Sequence, residues 1–247
     1  MSNSQDDGGD FSLSDPYSSY AGLDEDTRRK KAAKIISILK NRTDLAACDL
    51  LDVGTGSGHI VALIAQECRS ATSVNLEDER IVKDGYRFVQ VEDVRLPFPD
   101  ESFDVVVSNQ VIEHIPPQQD HLNELHRVLK KGGIAYVATP SKYTLMEPHF
   151  KLPFLSWLPK PMADRYVRLF GHERFDIYPL SLGRLGKMCA GLFRVENMSV
   201  EVIKDPERYK LDMMPAVQPL LRRLPRGILA LLQPLMPSFI VILHKPA

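Results

Sequence analysis

Short apolar runs and amphipathic stretches alternate through the first half of the chain. Runs at Asp49–Val53, Thr72–Leu76, Arg87–Val91, Phe103–Ser108 and Ile134–Ala138 predict strands. Helical spacing occupies His59–Cys68 and His121–Lys130, after which Lys131-Gly132-Gly133 supplies a basic last turn and a glycine stop. Ahead of them Leu23–Asn41 reads as a helix. Ala32, Ile35, Ile36 and Leu39 share one face, and Asp24, Glu25 and Asp26 open it while Lys40 and Arg42 sit near its end, as the helix dipole favours. Apolar strands separated by helices predict a parallel sheet covered on both faces.

The rhythm breaks over Ser141–Pro179, which holds Pro148, Pro153, Pro159, Pro161 and Pro179 among many aromatics. Ser181–Leu192 then reads as helix, Phe193–Ile203 and Phe239–His244 as two last strands, and Asp212–Met236 as an apolar, basic helical insert between them. Gly227–Leu243 carries no charge and approaches the length of a membrane span, but Gln233, Pro234, Pro237 and Ser238 interrupt it. A helix end followed by a buried strand is the expectation there. One domain over residues 23–247, with inserts at about 141–180 and 205–236, accounts for the pattern.

Composition narrows the class. The chain has 247 residues, 44% hydrophobic and 26% charged, which suits a soluble globular fold and excludes collagen-like and wholly disordered chains. A net charge of −1 removes the main argument for a nucleic-acid binder. Cys48, Cys68 and Cys189 form no CxxC pair and read as reduced thiols of a cytoplasmic protein. From Met1 to Thr27 there are acids and no base, so residues 1–22 predict a disordered acidic tail and no signal or transit peptide.

The segment Leu50-Leu51-Asp52-Val53-Gly54-Thr55-Gly56-Ser57-Gly58 ends a buried strand and opens a helix. Glycines there let the chain turn sharply and bring backbone N–H groups against a ligand. The G-x-G-x-G spacing after an acid differs from the dinucleotide G-x-G-x-x-G, and no Gly-Lys-Ser/Thr of a P-loop follows. Polar groups close the later strands: Asn75 and Glu77, Glu92 and Asp93, then Ser108 and Asn109. All fall at carboxyl ends of predicted parallel strands, where open α/β sheets bind ligands.

The set DVGTGSG, RLPFPDESFDVVVSNQVIEHI and ELHRVLKKGGIAYVATP resembles the class I S-adenosylmethionine-dependent methyltransferases. More narrowly it is similar to their small-molecule "type 11" subgroup. The resemblance covers roughly Leu50–Pro140 and implies a Rossmann-like α/β fold, a seven-stranded mostly parallel sheet of order 3-2-1-4-5-7-6 with its last strand antiparallel, and a helical cap on the acceptor side.

It also implies site roles. Asp52 would brace the glycine loop and reach the methionine amino group of S-adenosyl-L-methionine through water, while Gly54, Gly56 and Gly58 line the methionine and ribose, with Thr55 among the cofactor-binding residues. The family usually has an acid where Asn75 stands. Asn75 can still hydrogen-bond ribose hydroxyls without a charge, and Glu77, beyond Leu76, could supply the carboxylate instead. Glu92 or its neighbour Asp93 would hold the adenine amino group, and Asn109 and Gln110 would pass near the sulfonium.

A sulfonium methyl is already activated, so catalysis needs in-line placement of an acceptor and exclusion of water. A base is needed only where the acceptor must lose a proton. His114 and His172 are the candidate catalytic residues for that step, with His149 behind them. A metal site from His149, His172 and Glu173 lacks any standard ligand spacing and is set aside, so no metal is expected.

The inserts bear on the acceptor. Lys142–Arg174 carries six bases against three acids, and Lys204–Ala247 seven against three, each beside apolar clusters such as Leu152–Leu158. That combination suits first of all helices covering the sheet with solvated charges, and second a weak peripheral contact with an anionic membrane. A small-molecule or lipid-linked acceptor is expected. The competing readings are a catalytically inactive cofactor-binding partner subunit and, against the glycine spacing, a nicotinamide oxidoreductase.

Overall fold

The computed structural model describes residues 25–213 and 217–247. The tail expected over residues 1–22 lies outside them. A helix α1 (Glu25–Lys40) leads into strand β1 (Asp49–Val53), helix α2 (His59–Ala65), β2 (Ser70–Asn75), β3 (Arg87–Gln90) and β4 (Phe103–Asn109). After α3 (Gln118–Val128) and β5 (Leu129–Pro140) come α4 (Lys160–Arg168), α5 (Leu182–Met188), β6 (Arg194–Asn197), α6 (Ser199–Lys204), α7 (Gln218–Arg223), α8 (Arg226–Leu232) and β7 (Ser238–His244).

The seven strands form one sheet in the order β3-β2-β1-β4-β5-β7-β6, with β7 antiparallel to both neighbours. This is the expected order. Side chains on a strand alternate between faces, and the core divides accordingly. Leu51, Val106, Ala135 and Val241 pack under α3 and α5. Leu50, Val105, Val107, Tyr136 and Ile242 pack against Ala32, Ile35 and Ile38 of α1 and Ile60 and Ile64 of α2. Burial on both faces is why these strands read as unbroken apolar runs.

Several boundaries differ from the sequence expectation. Helix α3 stops at Val128, and Lys130 and Lys131 belong to β5. Leu129 pairs with Phe103, and Lys130 Nζ meets Asp104 Oδ2 at 2.8 Å, so sheet pairing overrides the basic-last-turn pattern. Gly133 permits the join: a Cβ there would lie 2.8 Å from the Lys130 carbonyl. The run Phe193–Ile203 is not one strand. β6 ends at Asn197, whose side-chain oxygen accepts the Ser199 amide at 3.1 Å, and α6 follows with Val202 in the core. The insert Asp212–Met236 is cut at Pro225 into α7 and α8. No helix among the described residues is long and apolar enough to cross a membrane.

An ion cluster ties the amino-terminal end of the sheet. Asp49 pairs with Arg69 and accepts the Ser70 hydroxyl at 2.7 Å, which holds its carboxyl well below the usual range. Asp49 N also donates to Asp104 Oδ2 at 2.9 Å. The strand ends opposite are therefore left to loops.

Beyond β5 the chain builds a smaller apolar core of Leu152, Leu155, Ala163, Val167, Phe175 and Ile177. This cap follows directly from the end of β5, beside the carboxyl-terminal edge of the sheet.

Candidate active site

At that edge lies a cavity of about 720 Å³. Its floor begins where β1 turns into α2. Gly54 (φ 83°), Gly56 (φ 50°) and Gly58 (φ 82°) all take left-handed backbone, and the Gly54 amide donates to the Val74 carbonyl at 2.9 Å. The turn is thereby pinned to β2, and helix α2 opens behind it. Gly54, Gly56 and Ser57 line the cavity. A Cβ on Gly56 would meet no protein atom, because it would point into open space.

The other motif residues serve the loop from behind. Gly58 does not reach the cavity: a Cβ there would lie 2.2 Å from the Val82 carbonyl, so this glycine lets the 78–86 segment fold closely over the loop. Thr55 is buried, and its hydroxyl donates to Ser73 Oγ at 2.8 Å. Asp52 is 4% exposed and does not line the cavity, and burial pushes its carboxyl up to about 7. Gly58, Thr55 and Asp52, expected among the cofactor-binding residues, thus stand behind the loop rather than on the cavity wall.

The opposite wall comes from β2 and β3. Asn75, Leu76, Glu77, Glu92 and Asp93 all line the cavity, joined by Glu79 and Val94. Asn75 Nδ2 donates to the Glu77 carbonyl at 2.9 Å, and Gln90 Nε2 donates to the Leu76 carbonyl at 2.8 Å. These bonds hold the turn after β2 in a shape that presents Glu77. Asp93 Oδ1 accepts the Arg95 amide at 2.7 Å.

The third side follows β4. Gln110 (φ 60°) lines the cavity with Val111, His114, Ile115 and Pro116, whereas Asn109 does not reach it. His114 closes a short turn, Ile112–His114, and burial lowers its imidazole to about 4. The other catalytic candidate lies elsewhere: His172 packs edge-on against Phe150 in the cap, 4.9 Å between centroids, and does not line the cavity.

Two basic residues of the cavity wall escaped the sequence reading. Arg28, on α1, reaches the cavity from a helix whose charged face looks ordinary in sequence. His121 is 2% exposed on α3, with Nε2 3.0 Å from Ser108 Oγ, and burial lowers it to about 4. A histidine on an otherwise apolar helix face was the only available signal.

Fold and cavity together define an α/β protein whose glycine loop faces carboxylates across a cleft at the carboxyl ends of its strands, the place where open α/β sheets bind ligands. The model of the family described as "Methyltransferase domain" matches residues 51–137. A protein of Mycolicibacterium smegmatis, named a probable S-adenosylmethionine-dependent methyltransferase, is 37% identical over 105 residues, 40% of each chain. An uncharacterized methyltransferase of Mycobacterium sp. (strain JLS) is 31% identical over 183 residues, 70% of this chain and 69% of that protein. The match thus spans about two-fifths of the first relative and two-thirds of the second.

Among solved structures, an S-adenosylmethionine-dependent methyltransferase of Mesorhizobium loti superposes with a TM-score of 0.56, at 12% identity over 86% of this chain and 98% of that one. A Haemonchus contortus phosphoethanolamine N-methyltransferase, in complex with phosphomonomethylethanolamine and S-adenosylhomocysteine, gives 0.54 at 18% identity over 87% of this chain and 53% of that one. The chain belongs to the class I S-adenosylmethionine-dependent methyltransferases, within the type 11 methyltransferase-domain family. The cofactor of that family is S-adenosyl-L-methionine.

Proposed function

We propose that the chain transfers a methyl group from S-adenosyl-L-methionine to a small-molecule or lipid-linked acceptor by in-line displacement. The observation that carries this reading is the cavity itself. One continuous space joins the glycine loop, the carboxylates of Glu77 and Asp93, and the acceptor-side residues His114 to Pro116.

Within it the residues divide by chemistry. Glu77 is the carboxylate for the ribose hydroxyls, held by Asn75. Glu92 or Asp93, both on the cavity wall, accepts from the adenine amino group. Arg28 is a counter-charge for the methionine carboxylate, and Asp52 attracts the methionine ammonium from beneath the loop. Gln110 and Val111 flank the methyl. The acceptor's lone pair attacks the methyl carbon as the sulfur takes the bonding pair, leaving S-adenosylhomocysteine. The residues that line the cavity have to align the two and keep water out.

The cap supports an apolar or lipid-linked acceptor. Leu169 is 81% exposed and Phe170 57%, next to Arg165 and Arg168 on α4. Exposed apolar groups beside bases suit a weak peripheral membrane contact. The testing experiment is transfer of a labelled methyl group from S-adenosylmethionine to lipid and small-molecule extracts. Labelled product in the lipid phase that disappears with Gly56→Val supports the reading. Tight cofactor binding with no turnover in either extract favours the inactive-subunit alternative.

A further inference from the structure

Beside the cofactor cavity, Glu113, His114 and His149 bring one ligand atom each to within 4.8 Å of one another. Glu113 and His149 have no part in the cofactor reading, and His114 enters it only as a lining residue on the acceptor side. Glu113 is wholly buried on the turn after β4. Its Oε2 accepts the Thr139 hydroxyl at 3.0 Å, and its Oε1 meets no hydrogen-bond partner among the described residues. Such an oxygen is costly in a protein interior unless something positive faces it.

The other two ligands are imidazoles set edge to face, 5.2 Å between centroids and 86° between planes. His149 is braced from behind. Its Nδ1 lies 2.8 Å from Oε1 of Glu147, a fully buried carboxylate whose Oε2 accepts the Phe150 amide at 2.6 Å. That contact assigns the proton to Nδ1 and leaves Nε2 as the ligand atom. A carboxylate behind a histidine in this way is the usual support of a metal-ligating imidazole.

We propose that Glu113, His114 and His149 form a binding site for a divalent transition-metal ion at the edge of the cofactor cavity. One carboxylate and two imidazoles suit Zn²⁺, Mn²⁺, Fe²⁺ or Co²⁺, and disfavour Mg²⁺ and Ca²⁺, which take oxygen ligands. A tetrahedral ion at about 2.1 Å spaces its ligand atoms by about 3.4 Å, so the three side chains close by at most about 1.4 Å on binding. The ligands come from the end of β4 and from the start of the cap, so the ion joins the cap to the sheet.

His114 also lines the cavity, so the ion stands one side chain from the acceptor space. An acceptor bearing a hydroxyl, carboxylate or phosphate oxygen would complete its coordination. This acceptor role rests on the methyl-transfer reading, whereas the metal site rests on the side chains alone.

The test uses the full chain, stripped with chelator, dialysed, and titrated with Co²⁺ while visible ligand-field absorption is followed. The expected result is saturation at about one equivalent. Glu113→Gln and His149→Ala weaken binding at least a hundredfold, and Glu147→Gln ten- to a hundredfold. His126→Ala, whose ring packs on Phe193 outside the cluster, binds as the wild type does. X-ray absorption of the Co²⁺-loaded wild type, which needs no variant, shows imidazole scattering.

Absence of a saturable band, wild-type affinity in both ligand variants, or a spectrum without imidazole overturns the proposal. Calorimetry with S-adenosylmethionine on the same samples separates the two readings. Cofactor binding without Co²⁺ binding removes the metal site and leaves the methyl-transfer reading intact. Co²⁺ binding without cofactor binding does the reverse.

Discussion

Asn75 donates its side-chain amide to the main-chain carbonyl of Glu77 at 2.9 Å, and both residues line the cofactor cavity. The amide therefore shapes the turn that presents the carboxylate. An aspartate at position 75 cannot donate this bond and would set a second negative charge beside Glu77. Asn75→Asp is expected to raise the Kd for S-adenosylmethionine, and Glu77→Gln to raise it further, by about 1–3 kcal/mol. Isothermal titration calorimetry checks the order. Tighter binding in Asn75→Asp would make Asn75 the ribose ligand.

Two glycines of one motif are expected to fail differently. Gly56→Val puts a side chain into the cavity and should abolish cofactor binding, with about 1–3 kcal/mol of destabilisation from its left-handed backbone. Gly58→Val collides with the Val82 carbonyl and should lower the Tm much more. Thermal unfolding with and without S-adenosylhomocysteine distinguishes them. A Gly58 variant as stable as the Gly56 variant would show that the 78–86 segment does not pack as described.

Asp52 predicts a pH effect with a definite sign. Burial raises its carboxyl to about 7, so between about pH 4 and 7 the folded chain keeps a proton that the unfolded chain has lost. Its contribution to stability falls as pH rises through that window and stays low above it. Asp52→Asn removes the effect. The stability gap between variant and wild type should widen in the variant's favour from pH 4 to pH 7, by at most about 4 kcal/mol, and then level off. Denaturant unfolding across the range measures it. The same variant should bind S-adenosylmethionine more weakly, because on the proposed reading the Asp52 carboxylate attracts the methionine ammonium.

Arg28 reaches the cavity from α1, outside the region matched by the family model. Arg28→Ala is expected to weaken S-adenosylmethionine by about 1.5–3 kcal/mol, the range for a hydrogen bond to a charged group. It should weaken a decarboxylated analogue far less. Equal losses for the two ligands would remove the carboxylate assignment.

The exposed cap predicts membrane behaviour. The full chain should co-sediment with anionic vesicles at low salt and release at high salt, since exposed charges are screened within about 10 Å at 0.1 M. Basic side chains near such a surface are worth about 1 kcal/mol each. Leu169→Glu with Phe170→Glu should abolish sedimentation. If wild-type chain stays in the supernatant with anionic vesicles at low salt, the cap is only a lid, and a soluble acceptor follows.

The strands and the glycine loop were legible in the linear chain because each rests on local information, whereas the sheet order came from the family resemblance. Apolar runs at Leu50–Val53 and Val105–Val107 report burial on both faces, and G-x-G-x-G encodes a turn that neighbours cannot reverse. The family resemblance then supplied the position of β7 between β5 and β6. Boundaries that depend on pairing were not legible. Lys130 reads as a helix end in sequence although Leu129 pairs with Phe103 in the sheet, and the run from Phe193 to Ile203 reads as a strand although Ser199 starts a helix.

In the site the division is the same. Glu77, Glu92, Asp93 and Gln110 could be named beforehand, since they fall at strand ends that the sheet must bring together. The roles within the motif could not. Whether Gly56 or Gly58 faces a ligand depends on where the Val82 carbonyl lies, 24 residues further on. Nor could the chain reveal that His149 belongs with Glu113 and His114 while His172 belongs with Phe150. Those pairings are made by the fold of the cap, whose prolines and aromatics mark a departure from the sheet rhythm but carry no period from which a three-dimensional contact could be read.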